Sequence, residues 1–148
     1  MTLPKTILVP TDFGEGSDHA LAYAVDLAKA LRAELVVMHA YEIPMIGFPD
    51  GALVATPEIA TRVANGAQVG LEKALAAHAG SGVAIRSLLK QGPTWQTINE
   101  TAAEIGAGMI VMGTHGRHGL PRALLGSIAE KLVRTATVPV LTVHLKDS

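Results

Sequence analysis

Three short apolar runs constrain the fold of this chain more than any other feature of its sequence. They are ILV at residues 7–9, LVVM at 35–38 and MIVM at 109–112, and none alternates with polar residues. An uninterrupted run of this length, rich in β-branched residues, is typical of a strand buried on both faces in a parallel sheet. The sequence therefore predicts central strands that are covered by helices on both sides.

Two further segments alternate between apolar and polar residues, at residues 83–87 and 138–142. This pattern predicts strands at the two edges of the sheet, where one side of each strand is less covered. Pro139 agrees with an edge position, because proline has no N–H to donate to a neighbouring strand.

Helical spacing of apolar residues predicts four helices between the strands. Cap and breaker residues mark their beginnings: Ser17 or Asp18, Thr56-Pro57, Pro93 and Ser127. The order is β-α repeated four times and a final strand. It predicts an α/β fold in which a five-stranded parallel sheet is doubly wound, with strand order 3-2-1-4-5 and helices on both faces.

Ligands bind to such sheets beyond the carboxyl ends of the strands where the winding reverses, which here are strands one and four. The unusual loops of the chain follow these two strands. Residues 10–14 read PTDFG and residues 113–127 read GTHGRHGLPRALLGS. A third long stretch, residues 41–55, is apolar and interrupted by glycine and proline, and is interpreted as a lid, an interface loop or an irregular connection.

Length and composition limit the classes of protein that remain. We expect residues 1–148 to form one domain with an ordinary core. The absence of cysteine fits a reducing compartment, and neither an export signal nor a membrane-spanning run is recognisable, so we expect a soluble cytoplasmic protein. A formal net charge of −1 gives no overall field for nucleic acid or anionic membranes, so neither is an expected partner.

The loop after strand four has the composition of an anion-binding loop. Gly113 and Gly116 allow backbone N–H groups to approach a polyphosphate, and Gly126 leads into a helix whose N-terminus carries positive partial charge. Ser127 and Glu130 have the spacing of a capping box. Positive charge comes from His115, Arg117, His118 and Arg122. The alternative is an ordinary turn followed by an ordinary N-cap.

The pattern G-x2-G-x9-G-S in this loop resembles the nucleotide-binding signature of universal stress proteins. The segments ILVPTDF, LVVMHAYE and VPVLTVH also resemble that family, so the similarity spans the chain. It implies a Rossmann-like fold of the adenine nucleotide alpha hydrolase type and binding of ATP, with ADP or AMP as alternatives. With Pro10, Thr11 and Arg117 added from the two loops, the candidate nucleotide-binding residues are Pro10, Thr11, Asp12, Ala40, Gly113, His115, Gly116, Arg117, Gly126, Ser127, Ile128 and Ala129.

The resemblance also assigns parts of the ligand to these residues. It implies that Asp12 contacts the ribose or base region and that the backbone of Ala40 contacts adenine, while the second loop holds ribose and phosphates. Family members often carry serine where this chain has Gly14, so one polar contact is absent. Asp12 has an alternative role, which is to cap the loop that leads into the first helix.

Metal binding is expected only through the ligand. His115 and His118 lack a third partner, and the other histidines, His39 among them, are expected to be structural or exposed. No protein metal ligand is predicted, whereas Mg²⁺ or Mn²⁺ bridging ATP phosphates is compatible with the loop.

Other doubly wound proteins do not fit the sequence. Neither the P-loop string GxxxxGK[ST] nor GxGxxG after strand one occurs. A regulatory nucleotide-binding protein with slow or absent hydrolysis is favoured over an ATPase or a phosphoryl or adenylyl transferase. Phosphoryl transfer needs a positioned base or water-orienting residue, metal ligands and stabilisation of the phosphate charge, and the sequence offers clear candidates only for the last, Arg117 and Arg122. A nucleotide-free interaction module is the third possibility.

The apolar edge at residues 138–143 predicts a homodimer through antiparallel pairing, as is common in the family.

Overall fold

The computed structural model describes residues 2–115 and 125–145 of the chain. Helices and strands alternate along it in the predicted manner, with one additional small hairpin. Their bounds are β1 Thr6–Pro10, α1 Glu15–Leu31, β2 Glu34–Tyr41, β3 Ile46–Gly47, β4 Leu53–Val54, α2 Pro57–Ala76, β5 Ile85–Gln91, α3 Thr94–Ile105, β6 Met109–Gly113, α4 Ser127–Thr135 and β7 Val140–Val143.

Five strands of the described part form one parallel sheet in the order β5-β2-β1-β6-β7. Leaving aside the hairpin of β3 and β4, these are the third, second, first, fourth and fifth strands along the chain. The predicted α/β class, the doubly wound parallel sheet and its order 3-2-1-4-5 are therefore confirmed.

The core has two layers because successive residues of the central strands face opposite sides. In β1, Ile7 and Val9 pack with residues of α1 and α2, whereas Leu8 packs with residues of α3 and α4. All three side chains are fully buried, and each contributes about 1.5–3 kcal/mol of hydrophobic free energy. This explains why the central strands read as uninterrupted apolar runs.

Three predicted element boundaries are wrong. The strand predicted at residues 83–87 begins at Ile85 and ends at Gln91. Helix α1 begins at Glu15 behind Gly14, whose carbonyl accepts a hydrogen bond from the N–H of Asp18. Ser17 and Asp18 are therefore inside the first turn and do not cap the helix. The last strand begins at Val140 and not at residue 138, although the carbonyl of Pro139 still accepts from the N–H of Ile110.

The stretch at residues 41–55 contains a short antiparallel hairpin, in which Ile46 pairs with Val54 and Gly47 with Leu53. Its turn is closed by two bonds, from the N–H of Phe48 to the carbonyl of Ala52 and from the N–H of Ala52 to the carboxylate of Asp50. The sequence predicted no strand here, because strands of two residues leave no periodic signal.

Candidate functional site

A cavity of about 470 Å³ opens at the carboxyl ends of β1, β2 and β6, where the winding of the sheet reverses. This volume lies in the range of small-molecule sites, ~300–1,000 Å³. Ten of the twelve predicted residues line it: Pro10, Thr11, Asp12, Ala40, Gly113, His115, Gly126, Ser127, Ile128 and Ala129. The other two, Gly116 and Arg117, lie outside the described residues, as do His118 and Arg122.

The cavity also has lining residues that the sequence did not point to: Ser17, His39, Thr94, Ile98, Met112 and Thr114. Most of them belong to helices or strands whose apolar periodicity explained their positions without any reference to a ligand. Only the topology brings the beginnings of α1 and α3 to the same end of the sheet as the two loops.

Asp12 is held by its own loop through one carboxylate oxygen. Its Oδ1 accepts hydrogen bonds from the N–H of Gly14 at 2.9 Å and from the hydroxyl of Ser17 at 2.7 Å. Within the described residues no hydrogen bond reaches Oδ2. The two interpretations of Asp12 are therefore compatible, because one oxygen caps the loop while the other remains for a ligand.

Thr11 and His39 fix the same loop from the side of the sheet. The N–H of Thr11 donates to the carbonyl of Met38 at 2.8 Å, and Nδ1 of His39 donates to the carbonyl of Thr11 at 2.7 Å. Nδ1 must carry the proton, since a carbonyl oxygen only accepts. His39 thus has the structural role expected of it, although it also borders the cavity.

Phe13 supports the loop from the outer side. Its backbone lies in the left-handed region, with φ of 65°, and its ring centroid is 4.4 Å from that of His39. On its other side the ring reaches helix α2 so closely that a Cβ on Gly70 would come within 2.8 Å of it. The ligand loop is consequently packed against α2 through one aromatic ring.

Helix α4 begins at the opposite wall of the cavity. Gly126 is its N-cap, with no hydrogen bond from a side chain, and the N–H of Gly126 donates to the carbonyl of Thr114 at 2.6 Å. The predicted capping box is wrong: Ser127 is the first helical residue, and the carboxylate of Glu130 pairs with Arg134 at 2.9 Å.

With Gly126 as its N-cap, the N-terminus of α4 is more open than it would be with a capping box. The first hydrogen bond of the helix runs from the N–H of Glu130 to the carbonyl of Gly126. The N–H groups of residues 127–129 precede this bond, and no described residue accepts a hydrogen bond from them. Because all three residues line the cavity, their donors and the positive end of the helix are available to an anion.

Gly113 meets a requirement that the sequence did not reveal. A Cβ on this residue would lie 3.0 Å from the carbonyl oxygen of Gly16 in the first turn of α1, and a Cβ on Gly16 would lie 3.1 Å from the carbonyl oxygen of His115. The end of β6 and the start of α1 therefore approach each other backbone to backbone. A side chain at position 113 would therefore disturb this packing as well as any approach of a phosphate.

The backbone of Ala40 is exposed towards the cavity because β2 is longer than β1. The pairing of the two strands ends with Pro10 opposite Met38, and the N–H of Thr11 then bonds the carbonyl of Met38 before the chain turns away. β2 continues to Tyr41 along β5. No further bond between β1 and β2 follows in the described residues, which leaves the N–H and C=O of Ala40 on the open side.

The described ranges contain neither a cluster of metal-ligating side chains nor a membrane-spanning helix. Residues 2–115 and 125–145 contain no group of three histidine, cysteine, aspartate or glutamate side chains that could hold a metal ion. Likewise, no helix there has both the length and the apolar composition needed to cross a membrane.

A doubly wound parallel sheet with a cavity at its switch point defines a Rossmann-like α/β protein. The model of the universal stress protein family matches residues 4–144. The chain therefore belongs to the universal stress protein family.

Relatives of known sequence support this assignment over almost the whole chain. Universal stress protein MJ0531 of Methanocaldococcus jannaschii is 34% identical over 143 residues, which are 95% of this chain and 82% of that protein. A universal stress protein of Thermus aquaticus is 36% identical over 145 residues, covering 95% of this chain and 98% of that protein.

Solved structures of the family share the fold. The protein MJ0577 superposes with a TM-score of 0.80 at 24% identity and covers 97% of this chain and 98% of its own. A universal stress protein in complex with cAMP has a TM-score of 0.74 at 24% identity, covering 98% and 100%. A family member from Arabidopsis thaliana with AMP bound has a TM-score of 0.64 at 15% identity, covering 97% and 93%.

Proposed function

We propose that this chain is an ATP-binding regulatory protein of the stress response, in which hydrolysis is slow or absent. The observation that carries the proposal is the composition of one cavity. It brings together the N-terminus of α4, Oδ2 of Asp12 and the backbone edge of Ala40, none of which is hydrogen-bonded by a described residue.

These three groups match the three parts of a nucleotide. The N–H donors of residues 127–129 suit phosphate oxygens. A carboxylate oxygen suits ribose hydroxyls, which are donors. An N–H beside a C=O suits the Watson–Crick edge of adenine, which offers an acceptor next to an amino group. The fold relatives described with cAMP and with AMP show that adenine nucleotides are ligands elsewhere in the family.

A divalent cation fits this site only as part of the ligand. Mg²⁺ usually retains waters and binds substrate phosphates together with one or two carboxylates. Asp12 is a carboxylate at the cavity, but one of its oxygens is occupied by the loop. We therefore assign Mg²⁺ or Mn²⁺ to the phosphates, where it would neutralise their charge.

Regulation is favoured over catalysis because phosphoryl transfer requires a positioned base or water-orienting group as well as charge stabilisation. The described lining of the cavity contains neither lysine nor arginine, so charge stabilisation is not combined there with a base. One carboxylate oxygen of Asp12 is also already bonded to Gly14 and Ser17. We further propose that the protein acts in the cytoplasm and forms a homodimer through β7.

Substituting Asp12 tests the proposal without dismantling the loop. In Asp12→Asn, Oδ1 can still accept from Gly14 and Ser17, while an amide donor replaces Oδ2. Calorimetric titration should show that the affinity for Mg-ATP falls about ten-fold, since hydrogen bonds to charged groups contribute about 1.5–3 kcal/mol. Asp50→Asn is the matched control, because Asp50 makes the same type of bond, to Ala52, in the hairpin turn.

A simpler experiment comes first. The purified protein is heated and the released small molecules are identified, and the protein stripped of ligand is titrated with ATP, ADP and AMP. A protein that carries no nucleotide and binds none of the three would be an interaction module, and the proposal would be wrong.

A further inference from the structure

Thr94 lies at the end of the cavity opposite the phosphate-binding wall. It is the first residue of α3, which follows β5, whereas α4 follows β6. β2 and β1 lie between these two strands, so the beginnings of the two helices are separated by three strand spacings of about 4.8 Å each. Thr94 and Ile98, one turn apart on α3, both line the cavity.

The hydroxyl of Thr94 has no hydrogen-bond partner among the described residues, and its position explains why. Thr101 and Thr135 donate their hydroxyls to the carbonyls four residues earlier, at 2.7 and 2.6 Å. Thr94 opens its helix, so no helical carbonyl precedes it. It is not the N-cap either, because Pro93 holds that position.

The lining residues of α3 are Thr94 and Ile98, and β2, which carries Ala40, lies beside the strand that precedes α3. Thr94 thus adds a side-chain hydroxyl donor to the backbone groups of Ala40. The first turn of α3 contains no acidic residue, and the positive end of the helix favours an acceptor on the ligand.

We propose that the Thr94 hydroxyl donates a hydrogen bond to N7 of a bound purine base, and that it thereby determines base specificity. The inference rests on the proposed nucleotide function. Ala40 takes N1 and the amino group, and N3 lies on the ribose side near Asp12. The remaining ring acceptor is N7, which pyrimidine bases lack.

The test compares ATP with 7-deaza-ATP, in which a carbon replaces N7, by calorimetric titration of the full chain. The wild-type protein should bind ATP about three- to ten-fold more tightly, as expected for one hydrogen bond. Thr94→Val should bind ATP and 7-deaza-ATP with equal affinity, whereas Thr94→Ser should keep the preference for ATP. Thr61→Val on the exposed surface of α2 is the control for the substitution itself and should also keep it.

Three outcomes would overturn the inference: a wild-type ratio near one, a Thr94→Val variant that keeps the wild-type ratio, or a Thr94→Ser variant that loses it. In each of these cases ATP still binds, so the proposed function stands. If the wild-type protein binds neither compound, both proposals are wrong.

Discussion

The hydroxyl of Ser17, in the first turn of α1, donates to Oδ1 of Asp12 over 2.7 Å and accepts from the N–H of Asp12 at 3.2 Å. Ser17 is buried, so neither bond can be replaced easily by water. Position 14 in the loop is glycine, and the loop is fixed by the serine three residues later.

Ser17→Ala should therefore weaken ATP binding although Ser17 need not touch the ligand. We expect a loss of about three- to ten-fold, because Asp12 loses one of the two donors that hold its carboxylate. The free energy of unfolding should fall by about 1–2 kcal/mol, since the half-buried N–H of Asp12 loses its acceptor and the carboxylate loses a donor. Calorimetric titration and urea unfolding measure the two effects.

The control for this variant is Ser81→Ala, in which a serine that bonds the N–H of Val83 far from the cavity is removed. It should leave ATP affinity unchanged. Equal affinities for Ser17→Ala and wild-type protein would show that the bond does not orient Asp12.

Gly70 and Gly66 lie one turn apart on α2 but have opposite surroundings. A Cβ at position 70 would meet the ring of Phe13 at 2.8 Å, whereas nothing lies within 4 Å of one at position 66. Gly66→Ala should stabilise the protein by about 0.5–1 kcal/mol, because alanine favours a helix. Gly70→Ala should destabilise it by about 1–3 kcal/mol, because the ring is confined on its other side by His39.

The same pair tests whether α2 supports the ligand loop. A displaced Phe13 changes the backbone next to Asp12, so Gly70→Ala should also lower ATP affinity, while Gly66→Ala should not. Urea unfolding and calorimetric titration of both variants provide the comparison. Loss of stability without loss of affinity would restrict the role of Phe13 to packing.

The sequence predicted the fold well because burial on both faces leaves a direct signal. Uninterrupted runs such as residues 7–9 identified the central strands, and Thr56 was correctly predicted to cap α2, where its hydroxyl accepts from the N–H of Ile59. The hairpin at residues 46–54 was missed, since strands of two residues have no periodicity.

The sequence identified the two loops that line the cavity, but not the residues of helices and strands that line it as well. The glycine spacing identified the loop after β6 but did not reveal that Gly113 also packs on Gly16. A capping box was inferred for Ser127 from spacing alone, whereas Glu130 pairs instead with Arg134. Thr94 and Ser17 could not be recognised, because their role depends on which helix ends the topology brings together.

Turnover of ATP should be slow. Phosphoryl transfer at enzyme-like rates needs a base and metal ligands in addition to positive charge, and the described cavity residues provide no such set. We expect a kcat well below ~1 s⁻¹, the lower end of the usual enzyme range. Phosphate release measured with Mg²⁺ and saturating ATP checks this. A kcat at or above that value would contradict the binding-only assignment.

The proposed homodimer through β7 depends on backbone groups that can be identified individually. The carbonyls of Pro139 and Val143 accept from N–H groups of β6 and the segment after it. Backbone groups of a parallel strand alternate in direction, so the N–H and C=O of Val140 and Thr142 point away from β6 towards the free edge. Antiparallel pairing with a second copy would use these groups.

Thr142→Pro should therefore convert a dimer to a monomer. Proline removes the N–H that faces the free edge but none of the bonds to β6, which is the arrangement that edge strands tolerate. Thr142→Val is the control, because it changes the side chain and keeps the N–H. Sedimentation equilibrium at micromolar concentration should give twice the chain mass for the wild-type and Thr142→Val proteins and the chain mass for Thr142→Pro. A monomeric wild-type protein, or a dimeric proline variant, would rule out pairing through this edge.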